Sequence, residues 1–196
     1  MNDAKPKLPY TVAFMIPPEA INLLVFWRKK VAPFCEKIDP LEVAHMTVKY
    51  LGFPSETFRE ESVVSLIPRL AKIVAPHLPV RVSVRGLDLF DCHCEPVVYL
   101  KVVSGGALAE IHDAIRVGLG KDIETFPHAD GENYRPHITI SKQIKHRQID
   151  ALRQLIHRSK KSAKRTFKLT QLVLLTPWDI YPILPLVGRK HPPTNW

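Results

Sequence analysis

Two short segments of the chain each carry a histidine and a threonine one residue apart. They are His45 and Thr47 in AHMTVKYLG (44–52), and His137 and Thr139 in YRPHITISK (134–142). Imidazoles titrate near neutral pH, so of two that share a site one takes a proton while the other gives one. That division suits in-line displacement at a phosphodiester. The base acts on the attacking oxygen and the acid on the leaving oxygen, each contributing about 10²–10⁴-fold. Two threonine hydroxyls donate to the non-bridging oxygens, where the transition state holds its charge. Lys49 and Arg135 would add positive charge beside each histidine. No carboxylate cluster accompanies either segment, so neither a metal nor another cofactor is expected.

Nine histidines and nine threonines among 196 residues give about 0.4 His-x-Thr triplets by chance. Two triplets alone therefore prove little, and a lone strand histidine is usually structural. The setting carries more weight. Both segments are β-branched and apolar, and read as strands, in which residues i and i+2 lie on one face about 6.6 Å apart. His45, Thr47 and Lys49 then share one face, and Ala44, Met46, Val48 and Tyr50 the other. Likewise Arg135, His137, Thr139 and Ser141 share a face, while Ile138 and Ile140 turn to the core. If the two strands face each other, their polar faces line one cleft.

The elements that must position these strands are read from periodicity. YTVAFMI (10–16) reads as a buried strand, and Pro17 and Pro18 open a helix over 19–31. VAHMTVKYL (43–51) is a strand. Helical spacing over 56–74 is interrupted by Pro68, which should kink or split it. VRVSVRGLDLF (80–90) alternates, with Val80, Val82 and Val84 facing one way and Arg81, Ser83 and Arg85 the other. PVVYLKVV (96–103) is a strand, and Ser104 caps a helix over 106–119. YRPHITIS (134–141) is a strand, and Ile149, Leu152 and Ile156 mark a short helix. TFKLTQLVLLT (166–176) and IYPILPLV (180–187) close the chain as strands. This order indicates an α+β fold with antiparallel sheets. It falls into two halves, each with a His-x-Thr strand, and has no Gly/Pro/Ser linker between them. Residues 1–196 are therefore read as a single bilobal domain of pseudo-twofold character, with 1–8 a loose N-terminal arm.

Apolar residues make up 45% of the chain, enough for an ordinary core. No apolar run approaches the ~20 residues that cross a bilayer. Cys35, Cys92 and Cys94 are too few and odd in number for a disulfide framework. A cytoplasmic protein with no membrane association is expected. The net charge of +9 favours anionic partners, nucleic acid first. A basic run over 142–168 reads equally as a phosphate track or as a solvated helix face. CHC at 92–94 invites a metal, but a zinc site needs about four ligands, and a turn with surface thiols is the better reading. The remaining histidines, His112 and His128 among them, show no partner pattern and read as surface or structural. Tyr134, Trp178 and Tyr181 are candidates to stack on a base.

The segment HMTVKYLG resembles the first motif of the two-histidine phosphoesterase superfamily, whose members include 2'-5' RNA ligase-like proteins and RNA 2',3'-cyclic phosphodiesterases. YRPHITISK resembles the second motif, with Lys142 where arginine is common. Lys142 supplies charge but not a bidentate fork. The resemblance implies outer helices and antiparallel sheets around a central groove. It implies metal-free chemistry on 2',3'-cyclic phosphate RNA ends, or on cyclic and 2'-5' nucleotide linkages, with reverse ligation possible. His45, Thr47, His137 and Thr139 would be catalytic. Lys49, Tyr134, Arg135, Ser141, Lys142, Trp178 and Tyr181 are the candidates to bind substrate. The expected partners are RNA ends or small nucleotides, with no obligate protein partner. The competing readings are an RNA- or nucleotide-binding module that uses the same groove with little turnover, and a structural protein with two coincidental triplets.

Overall fold

A computed structural model describes residues 8–91 and 96–184. The CHC segment, most of the N-terminal arm, and the chain from 185 onward lie outside the described residues. The architecture is α+β, with two four-stranded antiparallel sheets. The strands are β1 (Tyr10–Met15), β2 (Cys35–Lys37), β3 (His45–Gly52), β4 (Val80–Phe90), β5 (Val97–Val103), β6 (His137–Ser141), β7 (Gln143–Ile144), β8 (Arg165–Leu169), β9 (Leu172–Leu175) and β10 (Ile180–Pro182). The first sheet has the order β10-β9-β1-β3 and the second β6-β5-β4-β8, while β2 and β7 form a separate two-stranded ribbon. The two motif strands, β3 and β6, are edge strands of different sheets, and they lie against each other.

The helices form close to where the sequence places them, except that the stretch expected from residue 56 begins at Glu60. Pro18 opens α1 (Pro18–Val31), where its missing N–H costs nothing. The interrupted helix is split: α2 (Glu60–Val64) ends before α3 (Ile67–Val74), which carries Pro68 in its first turn. Ser104 accepts a hydrogen bond from the Leu108 N–H at 3.1 Å at the start of α4 (Ala107–Leu119). α5 (Ile149–Ser159) buries Leu152 and Ile156 and packs on β4. Gly86 permits that packing. Its φ is +76°, and a Cβ there would meet the Ser159 carbonyl oxygen at 2.6 Å. The Ser159 hydroxyl accepts the neighbouring Leu87 N–H at 2.9 Å. Buried residues from both sheets, including Phe14, Val48, Leu100, Ile111, Ile138 and Leu172, join one apolar cluster.

Two expectations need correction. The segment 166–176 is not one strand. It breaks at Thr170 and Gln171, because β8 pairs with β4 in the second sheet while β9 pairs with β1 in the first. Strict alternation also fails in both motif strands, at the same place. Val12 pairs with Lys49 but Ala13 with Thr47, so Val48 is an extra residue in β3. Val98 pairs with Ser141 but Tyr99 with Thr139, so Ile140 is an extra residue in β6. Each bulge falls immediately after the threonine and re-aims the next side chains along the strand. Lys49 and Ser141 therefore turn inward, and Tyr50 turns outward.

Candidate active site

A groove of about 440 Å³ lies between β3 and β6, within the range of small-ligand sites. His45, Thr47, His137, Thr139, Tyr134, Arg135 and Lys142 all line it. Residues from two strands 92 positions apart thus share one cavity, as the facial pattern requires.

The two histidines are held alike. His45 Nδ1 donates to the Val43 carbonyl at 2.8 Å, and His137 Nδ1 donates to the Arg135 carbonyl at 2.7 Å. A carbonyl only accepts, so each Nδ1 carries a proton. In each neutral ring Nε2 is then the basic nitrogen. Both imidazoles are held below their ordinary pKa, burial being the largest cause. The carbonyl bond opposes that shift at each ring, and the Lys142 charge adds to it. The rings differ in one respect. Asp39 favours the charged form of His45, while a charge on either ring disfavours one on the other. Phe90 and Tyr99 meet the His137 ring edge-on, with centroids at 4.9 and 5.2 Å. They fix its tilt from the side of β4 and β5.

Beneath β3 lies a buried polar network. Lys49 Nζ donates to both Asp130 carboxylate oxygens, at 2.7 and 3.0 Å, with its side chain fully buried. Asp130 also accepts the Phe126 N–H at 2.8 Å. His112 on α4 donates from Nδ1 to the carbonyl of the bulge residue Val48 at 2.7 Å. Its ring stacks on Tyr134 with centroids 4.4 Å apart, and the Tyr134 hydroxyl donates to the Thr47 carbonyl at 3.1 Å. Burial pushes the Tyr134 hydroxyl well above its usual pKa, so it stays a donor. The network therefore grips the backbone of Thr47 and Val48 from below.

The other expected binding residues divide. Arg135 and Lys142 are exposed at the groove. Lys49 borders it, but its ammonium is committed to Asp130, so it supports the strand instead of presenting charge. Tyr134 contributes a wall and a hydrogen bond to the backbone. Ser141 is fully buried outside the groove lining, and its hydroxyl donates to the Lys37 carbonyl at 2.6 Å, tying β6 to β2. Trp178 and Tyr181 are not brought to the groove. They belong to the β10 side of the first sheet, the edge opposite β3. There Trp178 sits 6.4 Å from the Tyr10 ring. The sequence reading missed His112, Asp130, Phe90 and Tyr99 as parts of the site. His112 and Asp130 reach it across large sequence separations, and no local pattern marks them.

Comparison with solved structures places this fold beside TT0787 of Thermus thermophilus, at TM-score 0.61 and 21% identity, covering 90% of this chain and 98% of that one. Escherichia coli LigT in its apo form aligns at TM-score 0.52 and 14% identity, covering 90% and 94%. LigT complexed with 3'-AMP aligns at TM-score 0.55 and 15% identity, covering 86% and 87%. None of the curated proteins compared matches the chain. The family model of the 2'-5' RNA ligase superfamily matches residues 17–177, a span that runs through both motif strands. The chain belongs to that superfamily, the two-histidine phosphoesterases.

Proposed function

We propose that the protein is a phosphoesterase that opens 2',3'-cyclic phosphates at RNA ends, or related cyclic and 2'-5' nucleotide linkages, by paired-histidine acid–base catalysis. Superfamily membership supports phosphoesterase or ligase-type chemistry. The observation that carries the finer reading is the matched pair of imidazoles in one groove, each with Nδ1 fixed on the carbonyl two residues before it. LigT has been solved with 3'-AMP and with phosphate, which supports a nucleotide as the occupant of the corresponding groove here.

We assign His137 as the base and His45 as the acid because Asp39, the smallest of the influences on His45, favours a proton there. His137 Nε2 takes a proton from water as the water oxygen bonds to phosphorus. The bond from phosphorus to the 3'-oxygen breaks, and His45 Nε2 gives its proton to that oxygen, leaving a 2'-phosphate. The Thr47 and Thr139 hydroxyls donate to the non-bridging oxygens, with Arg135 and Lys142 adding charge. Acid and base both come from the chain, so the mechanism calls for no metal or other cofactor. In the ligation direction the two histidines exchange roles by microscopic reversibility.

The test is turnover of a 2',3'-cyclic mononucleotide in excess EDTA by wild type, His45→Ala and His137→Ala, each checked for an intact thermal transition. Wild type is expected to give a 2'-phosphate, and each variant to lose at least about 100-fold. Binding without turnover would make the groove a nucleotide-binding site and overturn the assignment.

A further inference from the structure

The basic run over 142–168 does not fold into one patch. Arg153 is held by Asp91 and Asp150, and Lys145 donates to the Pro33 carbonyl. The exposed end of α5 lies behind the second sheet, on the side where the core packs. The fold instead gathers cations from separate segments onto the opposite, open face of that sheet.

Register defines this face. His137 on β6 lies opposite Lys101 on β5, and Thr139 opposite Tyr99. Tyr99 in turn lies opposite Asp88 on β4. Further along β4, Arg81 lies opposite Lys168 on β8, and Ser83 opposite Thr166. Arg81, Arg85, Lys101, Thr166 and Lys168 are exposed, whereas the alternate residues Val80, Val82, Phe167 and Leu169 are buried. The face thus runs from the catalytic strand across three strand spacings, about 14 Å. Its first step is a second hollow of about 310 Å³, lined by Asp88, Phe90, Tyr99, Lys101, Tyr134 and Arg135. Phe90, Tyr134 and Arg135 also line the groove, so the two cavities adjoin. Half-buried Phe90 stacks at 4.2 Å on the buried Tyr99 there and presents an aromatic wall beside His137.

Like charges directly opposite on neighbouring strands are unfavourable. Arg81 and Lys168 stand in that relation, and neither has an acidic partner among the described residues. Asp88 pairs with Lys101 only at 3.9 Å. Such an arrangement is stabilised by a polyanion laid across it, and the aromatic wall at the groove end suits unpaired bases.

We propose that this open face binds single-stranded RNA, the reacting 3' end lying in the groove and the 5'-ward nucleotides running over the second hollow toward Arg85, Arg81 and Lys168. The proposal rests on the phosphoesterase reading for its polarity, but its test does not need turnover. Binding of a 5'-labelled single-stranded oligoribonucleotide ending in a 2'-phosphate is followed by fluorescence anisotropy over a range of salt concentrations. The variant is Arg81→Thr/Arg85→Thr/Lys168→Thr, all exposed strand positions that threonine suits. It should bind RNA at least about tenfold more weakly at low salt, with the salt slope reduced by about 2. Cyclic-mononucleotide turnover should stay within about twofold, and the thermal midpoint should hold or rise, as removal of opposed like charges requires. Arg158→Thr/Lys160→Thr/Lys161→Thr, behind the sheet, should leave RNA affinity in place. Unchanged RNA affinity and slope in the first variant would overturn the proposal. So would an equal loss in the second variant, or an equal loss for a blunt RNA duplex. Loss of RNA affinity together with absent mononucleotide turnover in wild type would leave this surface standing and sink the catalytic reading instead.

Discussion

In the mechanism proposed, His45 and His137 divide one proton between them. Burial lowers both below the usual imidazole value, and the charge of one opposes the charge of the other. In that mechanism the working state has one proton on the pair, so the limbs of the pH profile belong to the pair and not to either ring. At low pH both rings are charged and the base is lost. At high pH both are neutral and the acid is lost. With both pKa values held down, kcat/KM for a cyclic mononucleotide should be bell-shaped with its maximum below about pH 6.5. A profile measured from about pH 4 to 9 checks this, and activity still rising above neutrality contradicts it. The motif residues themselves were legible because a histidine, a spacer and a threonine on a strand share a face whatever surrounds them. Their support was not. Asp130 meets Lys49 across 81 residues, and nothing local to either one announces the other.

At the scale of elements, the bulges after Thr47 and Thr139 matter most. A bulge depends on how a strand pairs with its neighbour, so an alternating sequence does not reveal it. Hence Lys49 and Ser141 fall on the histidine face when the strand is read alone, yet both are buried. Helix boundaries were more readable, because Pro18, Pro68 and Ser104 act locally on the chain. The break at Thr170 and Gln171 was hidden, since only the sheet each half joins distinguishes β8 from β9. The buried Lys49–Asp130 pair makes a direct prediction. Lys49→Met leaves the Asp130 carboxylate buried without its cation and should destabilise the fold by about 3–5 kcal/mol. Lys49→Met/Asp130→Asn removes the charge as well and should recover part of that loss. Denaturant unfolding of the two variants measures the difference, and equal losses would contradict a structural role for the pair.

For the whole molecule, the two sheets meet along β3 and β6, and one apolar cluster draws on both. We infer that the lobes unfold together, as one domain spanning the chain. Among the described residues no helix is long and apolar enough to cross a membrane. His45, His112 and His137 are all held below their ordinary pKa, with burial the first cause in each. The unfolded chain therefore binds protons near pH 6.5 that the folded chain refuses. Stability is then greatest above that pH and falls as the pH drops through it. Thermal unfolding should show a single transition whose midpoint declines from about pH 7.5 to 5.5, and less steeply in His45→Ala/His137→Ala. A midpoint independent of pH over that range contradicts this account.

The central claim is that the two imidazoles act as one catalytic unit, and a double-mutant cycle tests it most directly. Turnover of a 2',3'-cyclic mononucleotide is measured for wild type, His45→Ala, His137→Ala and the double variant. Groups that act as a unit are strongly non-additive. The double variant should therefore lose about as much activity as either single one. Losses that multiply, or a single variant that keeps wild-type turnover, would show that the two histidines do not share one reaction.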